Sequence, residues 1–345
     1  MAETGEAIWG SLYVYAPNKG APIFFTIAYA ISAIFHRLTG LHPFCAVLFT
    51  IGYATREYGA YNYIYSPTNG VPLGLFMVSQ ICVFIGPPFL ELANYHVLSR
   101  VFYYMPYASP LSPGRVTTFF GSIMFLVEGL NAAGVALSSN AKAKEAPKKS
   151  GHSLVLVALA LQVFVIFVFV YFSVTFHRRC IKARVPGKAK AVNSTLITLY
   201  MSMTLIFVRC IYRLVENAMG TMNVDLRNIE ALKKLSPLLR YVVFFYIFKE
   251  SLMLINSVLW NVRHPGPELP QDHHIYLAPD GTEVEGEVDA NEHRPLLLKV
   301  ANAMMFGLLF RNNKPNSHAQ SQELDEYPHV NGYKECGDRN RGHAS

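Results

Sequence analysis

The sequence predicts an all-α, polytopic membrane protein: a seven-transmembrane-helix bundle followed by a disordered C-terminal tail. Three observations carry this reading. The 345 residues are 52% hydrophobic and 15% charged, whereas soluble domains carry about 25% charged residues. The apolar residues fall in long blocks, and a helix that crosses a bilayer needs about 20 such residues in a row. The Lys and Arg cluster between these blocks, so the net charge of +7 reflects membrane topology and not nucleic-acid binding.

Met1 to Tyr15 lack a basic stretch followed by an apolar core. No cleavable signal peptide is expected, and the first span does the targeting. That span, Ala21–His36, is uncharged until His36-Arg37 closes it. The second runs over Pro43–Tyr58. The third, Val71–Tyr95, contains Gly86-Pro87-Pro88, which should break or kink it because each ring removes a backbone donor and crowds the preceding turn. The fourth is Val116–Leu137. The fifth, Leu154–Phe176, is free of charge, with Gln162 its one strong polar break. The sixth is Thr195–Glu216 and the seventh Tyr241–Trp260. Residues 21–262 thus form the transmembrane domain.

The connections differ in character. Arg100 to Arg115 is rich in Pro and Tyr and reads as a loop. Arg178 to Lys190 carries six basic residues and no acid. Between Asn217 and Arg240, an Asp225 cap and the stripe Leu226, Ile229, Leu232 and Leu235 predict a surface helix across the bundle mouth. Residues 263–345 form the tail. Its acidic part, Pro267 to Glu292, should be mostly unstructured. Pro295–Phe310 is apolar but short for a span, and predicts an interfacial helix over residues 295–310. The cysteines show neither disulfide nor zinc spacing and read as small packing residues.

Counting Lys and Arg on the two sides of the spans gives a tie, with Arg56 counted among the loop cations. The dense cluster Arg178–Lys190 weighs most and belongs in the cytoplasm, although the lysines at 142–149 oppose it. The expected arrangement places the N-terminus outside and the tail in the cytoplasm, with the plasma membrane as the location.

The spans carry ionisable groups, which are costly in hydrocarbon and so face protein or water. Arg209, Arg213 and Glu216 follow one another at i, i+4 and i+7, on one helical face, and Tyr212 stands four residues before Glu216. At about 1.5 Å per residue, Glu128, Gln162, Arg209, Lys249 and Glu250 fall at similar depth in the outer half. One polar layer is expected, with Arg209 and Arg213 paired to Glu128 or Glu250. Its simpler role is structural, fixing which helices neighbour each other; its functional role is a ligand site. A second cluster of His36, Glu91 and His96 is expected at the inner end. No catalytic set, metal site or cofactor motif stands out; His273-His274 beside Asp272 reads as solvated loop.

Several motifs form one pattern. They are Leu199-Tyr200, the octad Arg209-Cys210-Ile211-Tyr212-Arg213-Leu214-Val215-Glu216 with Gly220, Tyr246-Ile247-Phe248, and His264-Pro265-Gly266. Tyr15-Ala16-Pro17, His36, Pro87-Pro88 with Tyr95 and Arg100, and Leu159-Ala160-Leu161-Gln162 support them. From about Tyr13 to Gly266 the chain resembles the fungal RTA-like family, the lipid-translocating exporters. The resemblance implies a seven-span protein linked to resistance against toxic lipophiles and to movement of sphingoid bases. Where the family shows an acid after Tyr-x-Phe, this chain has Lys249, followed by Glu250. Where the family has Gly-Asp and a later Gln in the fourth span, this chain has Gly121-Ser122 and Glu128.

The function expected is that of a non-enzymatic exporter of amphipathic lipophiles, such as a sphingoid base, a sterol-like compound or a toxic metabolite. Aromatic-rich spans around a polar layer suit a ligand with an apolar body and a polar head. Membrane lipids and that ligand are the expected partners. The alternative is a seven-span receptor-like sensor that signals through its basic loop and tail. A membrane enzyme using His36 and His96 is a third reading.

Overall fold

A computed structural model of the chain describes residues 11–13, 17–36, 41–64, 70–111, 113–139, 145–183, 189–219, 241–263, 275–277 and 282–285. All belong to the compact unit Met1–Ala290. The surface helix expected within 220–240 and the interfacial helix expected at 295–310 lie outside the described residues.

Seven helices make up the described bundle: α1 (Gly20–Phe35), α2 (Leu41–Tyr61), α3 (Val71–Tyr104), α4 (Pro113–Ser139), α5 (Glu145–Ala183), α6 (Ala189–Ala218) and α7 (Val242–Val262). Local sequence explains where the first five begin. Pro22, Pro43, Pro72, Pro113 and Pro147 each sit in a first helical turn, where the missing N–H has no intrahelical partner to lose. Asn18 Oδ1 adds a cap to α1, accepting from the backbone N–H of Gly20 at 2.8 Å and of Ala21 at 3.1 Å.

Five of the helices, α3 to α7, are long and apolar enough to cross a membrane. The uncharged α1 is apolar but has 16 residues, and α2 has 21 with Arg56 and Glu57 inside it. Most of the helices exceed their expected lengths, α3 and α5 by the most. At about 1.5 Å per residue, α3 reaches about 51 Å and α5 about 58 Å, well beyond a hydrocarbon core of about 30 Å. The Pro87-Pro88 pair does not end α3, which runs through it as one helix. Gly86, Pro87 and Pro88 are all buried, and surrounding helices support opened turns of this kind. Gly86 leaves room for the Phe49 ring of α2: a Cβ there would lie 2.5 Å from Phe49 Cζ.

Each helix packs on its sequence neighbours, α3 also touches α6, and α1 packs against α7 to close the ring. Side-chain pairs fix the directions. Ser202–Trp260 and Glu216–Lys249 run oppositely along α6 and α7, so these helices are antiparallel. Ser32–Ser257 and Tyr29–Glu250 run in the same order along α1 and α7, which are parallel. Backbones approach closely where α4 crosses α5: a Cβ on Gly134 would lie 2.8 Å from the Gly151 carbonyl oxygen, and one on Gly151 would lie 2.7 Å from that of Gly134. Such close backbone approach is the usual use of small residues between membrane helices.

The stretch after α7, expected to be unstructured, contains an antiparallel strand pair, β1 (Ile275–Leu277) and β2 (Glu283–Glu285), with Tyr276 opposite Val284. Leu277 is fully buried and Glu283 accepts a 2.9 Å hydrogen bond from Tyr104 at the end of α3. β1 is apolar throughout and packs on the end of α3, while β2 alternates as Glu283-Val284-Glu285.

The bundle buries charged groups inside its core and carries an apolar skin. Arg209, Arg213 and Glu250 are 3%, 5% and 1% exposed, while Phe164 and Tyr171 on the outer face of α5 are 61% and 66% exposed. Water would favour the reverse arrangement; hydrocarbon favours this one.

Candidate functional site

The site is built around α6. Helical spacing puts Arg209 and Arg213 on the inward face, and both are buried. The Arg213 guanidinium lies over the Phe84 ring of α3, 4.7 Å from its centre. Neither guanidinium forms an ion pair with a carboxylate of the described residues, and Arg209 Nε and Arg213 Nη1 have no hydrogen-bond acceptor among them. The pairing expected with Glu128 or Glu250 is therefore not made as a contact, although both carboxylates are near. Glu128 lies within electrostatic reach of Arg213 and Arg209, and Glu250 within reach of Arg209, Arg56 and Lys249. The ion pair that does form on this face is Lys249 Nζ with Glu216 Oε2, at 2.5 Å. Tyr212 stacks on Phe248 of α7, with ring centres 5.2 Å apart and planes 10° apart.

From the opposite side, α3 contributes Glu91. Its Oε1 accepts from the Tyr95 hydroxyl one turn along, and its Oε2 from Gln162 Nε2 of α5 at 2.9 Å. Arg209 and Glu128 lie within electrostatic reach of it. Glu91 thus joins the main polar layer, and the expected cluster with His36 and His96 does not form. The reason is helix length. With α3 ending at Tyr95, Glu91 would sit at the inner edge; α3 runs on to Tyr104, so Glu91 lies near its middle. His96, five residues on, points to another side and is exposed. His36 is buried at the end of α1, with Nε2 3.2 Å from Ser257 Oγ.

Glu250 sits in a π-helical segment of α7, Tyr246–Ser251. Such bulges widen the turn and occur often at functional sites. Here the widened turn directs Lys249 toward Glu216 and Glu250 toward α1 and α2. The Tyr29 hydroxyl donates to the Glu250 carbonyl at 3.2 Å, and Tyr53 faces the carboxylate. Around them Phe25 stacks on Tyr246 at 5.4 Å and on Tyr53 at 5.2 Å, and Tyr29 stacks on Phe49 at 4.6 Å.

Arg56 belongs to this layer and not to a loop. Its guanidinium is buried among the rings of Phe245, Tyr13 and Tyr246, at 4.5, 5.0 and 5.9 Å. Tyr13 lies before α1; burial pushes its phenol above the ordinary range, and the Arg56 charge pulls the other way. Tyr29, Tyr53, Tyr95 and Arg56 were not expected as site residues. Phe49, Tyr53 and Arg56 nevertheless repeat the i, i+4, i+7 spacing of Arg209, Arg213 and Glu216, which is the signal that could have found them.

Two further networks lie farther along the bundle. Ser202 Oγ accepts from Asn94 Nδ2 at 2.8 Å and from Trp260 Nε1 at 3.1 Å. Ser32 shares a 2.7 Å hydrogen bond with Ser257 and accepts one of 2.7 Å from Asn261 Nδ2. These join α3, α6 and α7, and α1 and α7, through direct side-chain hydrogen bonds, as a structural role requires.

Comparison with known proteins agrees with this architecture. The sequence profile of the family described as "RTA1 like protein" matches residues 44–272. A Leptosphaeria maculans protein described as "Lipid-translocating exporter-like protein RTA1" is 62% identical over 355 residues, covering 100% of this chain and 68% of its own length. A protein of the same description from Ajellomyces capsulatus is 27% identical over 327 residues, covering 92% of this chain and 93% of its own length. No solved structure matches. The apolar-skinned helical bundle and these matches together show that the chain is an integral, multi-pass membrane protein belonging to the RTA1-like family.

Proposed function

We propose that this protein moves an amphipathic lipid across a membrane, with the polar layer of α3, α4, α5, α6 and α7 receiving the head group. The observation that carries the reading is Arg209, a buried guanidinium with no counter-ion in contact among the described residues. A charge in such a place costs several kcal/mol, about 3–5 where a buried pair is broken. A chain that holds one open gains from it when a ligand arrives. The names of the two relatives, lipid-translocating exporter-like proteins, point the same way. Sphingoid bases, sterol-like compounds and toxic lipophiles are the candidate cargoes, and export would confer resistance to the last. The N-terminus faces outside, the tail lies in the cytoplasm, and the plasma membrane is the site of action. No cofactor or catalytic step enters this reading.

Vesicles containing the purified protein test it. A fluorescent long-chain base and a fluorescent lysophospholipid are followed across the bilayer. Wild type should move at least one of them, and Arg209→Ala should slow that movement at least tenfold. Equal rates for both proteins would sink the mechanism.

The alternative, a receptor-like sensor, draws on α5, which carries Arg178, Arg179 and Lys182 beyond the expected span. Deleting 286–345 separates the two readings, since transport should survive and a signalling output should not.

A further inference from the structure

The charged groups of the spans divide into those the fold answers internally and those it leaves open. Lys249 and Glu216 answer each other. Both oxygens of Glu91 are taken, by the Tyr95 hydroxyl and the Gln162 amide. Arg56 is enclosed by the rings of Tyr13, Phe245 and Tyr246, although its Nη1 has no hydrogen-bond partner among the described residues. Of the charged groups around the inward face of α6, Arg209, Arg213, Glu250 and Glu128 stay open. Each has at least one buried atom without a hydrogen-bond partner among the described residues, namely Arg209 Nε, Arg213 Nη1, Glu250 Oε2 and Glu128 Oε1.

Glu128 interacts electrostatically with Arg213 and Arg209, and Glu250 with Arg209, yet no two of the four make an ion pair. Opposite charges attract strongly in a poorly screened interior, and a buried pair is tolerated only with its remaining donors and acceptors satisfied. Charges of both signs held near one another but apart are completed by something between them that carries both signs. We propose that the open set is a head-group site for a zwitterionic phospho-amine lipid. Arg209 and Arg213 take the phosphate, as guanidiniums do with two parallel N–H donors, and Glu250, within electrostatic reach of Arg209, takes the ammonium. A bare phosphate would leave the carboxylates facing an added negative charge. A bare amine would leave two guanidiniums unanswered. A zwitterion adds no net charge to the layer. This deepens the lipid-moving reading and rests on it for the apolar chain of the ligand.

The test uses full-length protein in detergent and four probes: a lysophosphatidylethanolamine, the same chain with phosphate only, the same chain with a primary amine only, and free phosphoethanolamine. Binding is read as ligand-dependent thermal stabilisation, titrated to an apparent Kd. The zwitterionic lipid should bind at least tenfold more tightly than each of the others. Arg209→Gln should weaken the two phosphate-bearing chains at least tenfold and spare the amine. Glu250→Gln should weaken the two amine-bearing chains and spare the phosphate. Arg209→Lys keeps the charge and should retain most of the binding, which guards against a variant that merely fails to fold.

Tighter binding of the amine-only or phosphate-only chain would overturn the proposal. So would variants that weaken every chain alike, since that marks a purely structural network. Equal binding of free phosphoethanolamine would show a soluble ligand and overturn the lipid assignment. Selective binding of the zwitterionic lipid without its movement across vesicles would uphold the site and remove the transport reading instead.

Discussion

Lys249 Nζ lies 2.5 Å from Glu216 Oε2, and this pair fastens α7 to the last residue of the signature octad on α6. Lys249 is also the residue that departs from the acidic pattern of the resembled family. The departure is therefore compensated locally: a lysine replaces an acid where Glu216 can meet it. Its aliphatic stem and charge also lie near the Tyr212 and Phe245 rings, at 5.7 and 5.4 Å from their centres.

Lys249→Glu should destabilise the protein, because it sets a third carboxylate beside Glu216 and Glu250. Exchanging both partners, Glu216→Lys with Lys249→Glu, should recover at least half of the loss. Both side chains are partly exposed, and the coupling should fall within about 0.5–3 kcal/mol, the range for residues in one network. Thermal unfolding in detergent for the two single variants and the double variant measures it. A double variant no better than the worse single one would deny the pair a stabilising role.

Glu91 accepts from two donors on two helices, so its removal strands both. Glu91→Leu should cost about 1–3 kcal/mol for each donor left unpaired. Glu91→Gln, which keeps an acceptor oxygen for one of them, should cost less. Denaturation midpoints for the two variants, with Tyr95→Phe as a third, give the order expected: Leu worst, then Gln and Phe.

The α4–α5 contact tolerates no side chain. Gly134→Val and Gly151→Val should each reduce folded yield severely, since backbone oxygens lie within 2.7–2.8 Å of the new Cβ position and overpacking costs about 1–3 kcal/mol or more. Gly129→Ala, with nothing within 4 Å of its Cβ position, is the matched control and should behave as wild type. Monodisperse yield in detergent separates these outcomes.

The segment Ser11–Tyr13 is held against α2 by the Arg56–Tyr13 contact and by the Leu12 N–H, which donates to the Tyr63 carbonyl at 2.8 Å. Arg56→Gln removes the cation beneath the ring, worth about 0.5–2 kcal/mol. The Leu12 amide should then exchange with deuterium at least several-fold faster, with the amides of α5 unchanged. Exchange that stays as slow as in wild type would show that the strand-like contact alone holds the segment.

The span positions were legible because hydrocarbon imposes one simple demand on sequence, an apolar run of sufficient length. Arg209 and Arg213 were legible for the complementary reason, since charge in such a run must face inward. Helix ends were less legible. α3 and α5 run past the bilayer, where polar residues suit a helix as well as they suit a loop, and Glu91 was assigned to an inner cluster because α3 was expected to end at Tyr95. Arg56 was counted with the loop cations although the expected second span, Pro43–Tyr58, already contained it.

The sequence by itself determined the class of protein, the number and order of the helices and the presence of buried charge, because each follows from local composition and helical period. Only the tertiary structure decided which charges meet. Lys249 found Glu216, Glu91 found Tyr95 and Gln162, and Arg209 was left open beside Glu250. Such choices depend on the rotation and register of helices packed across the bundle, and on a π-helical turn at Tyr246–Ser251 that redirects two neighbouring residues. Neither is encoded in the spacing of any one segment.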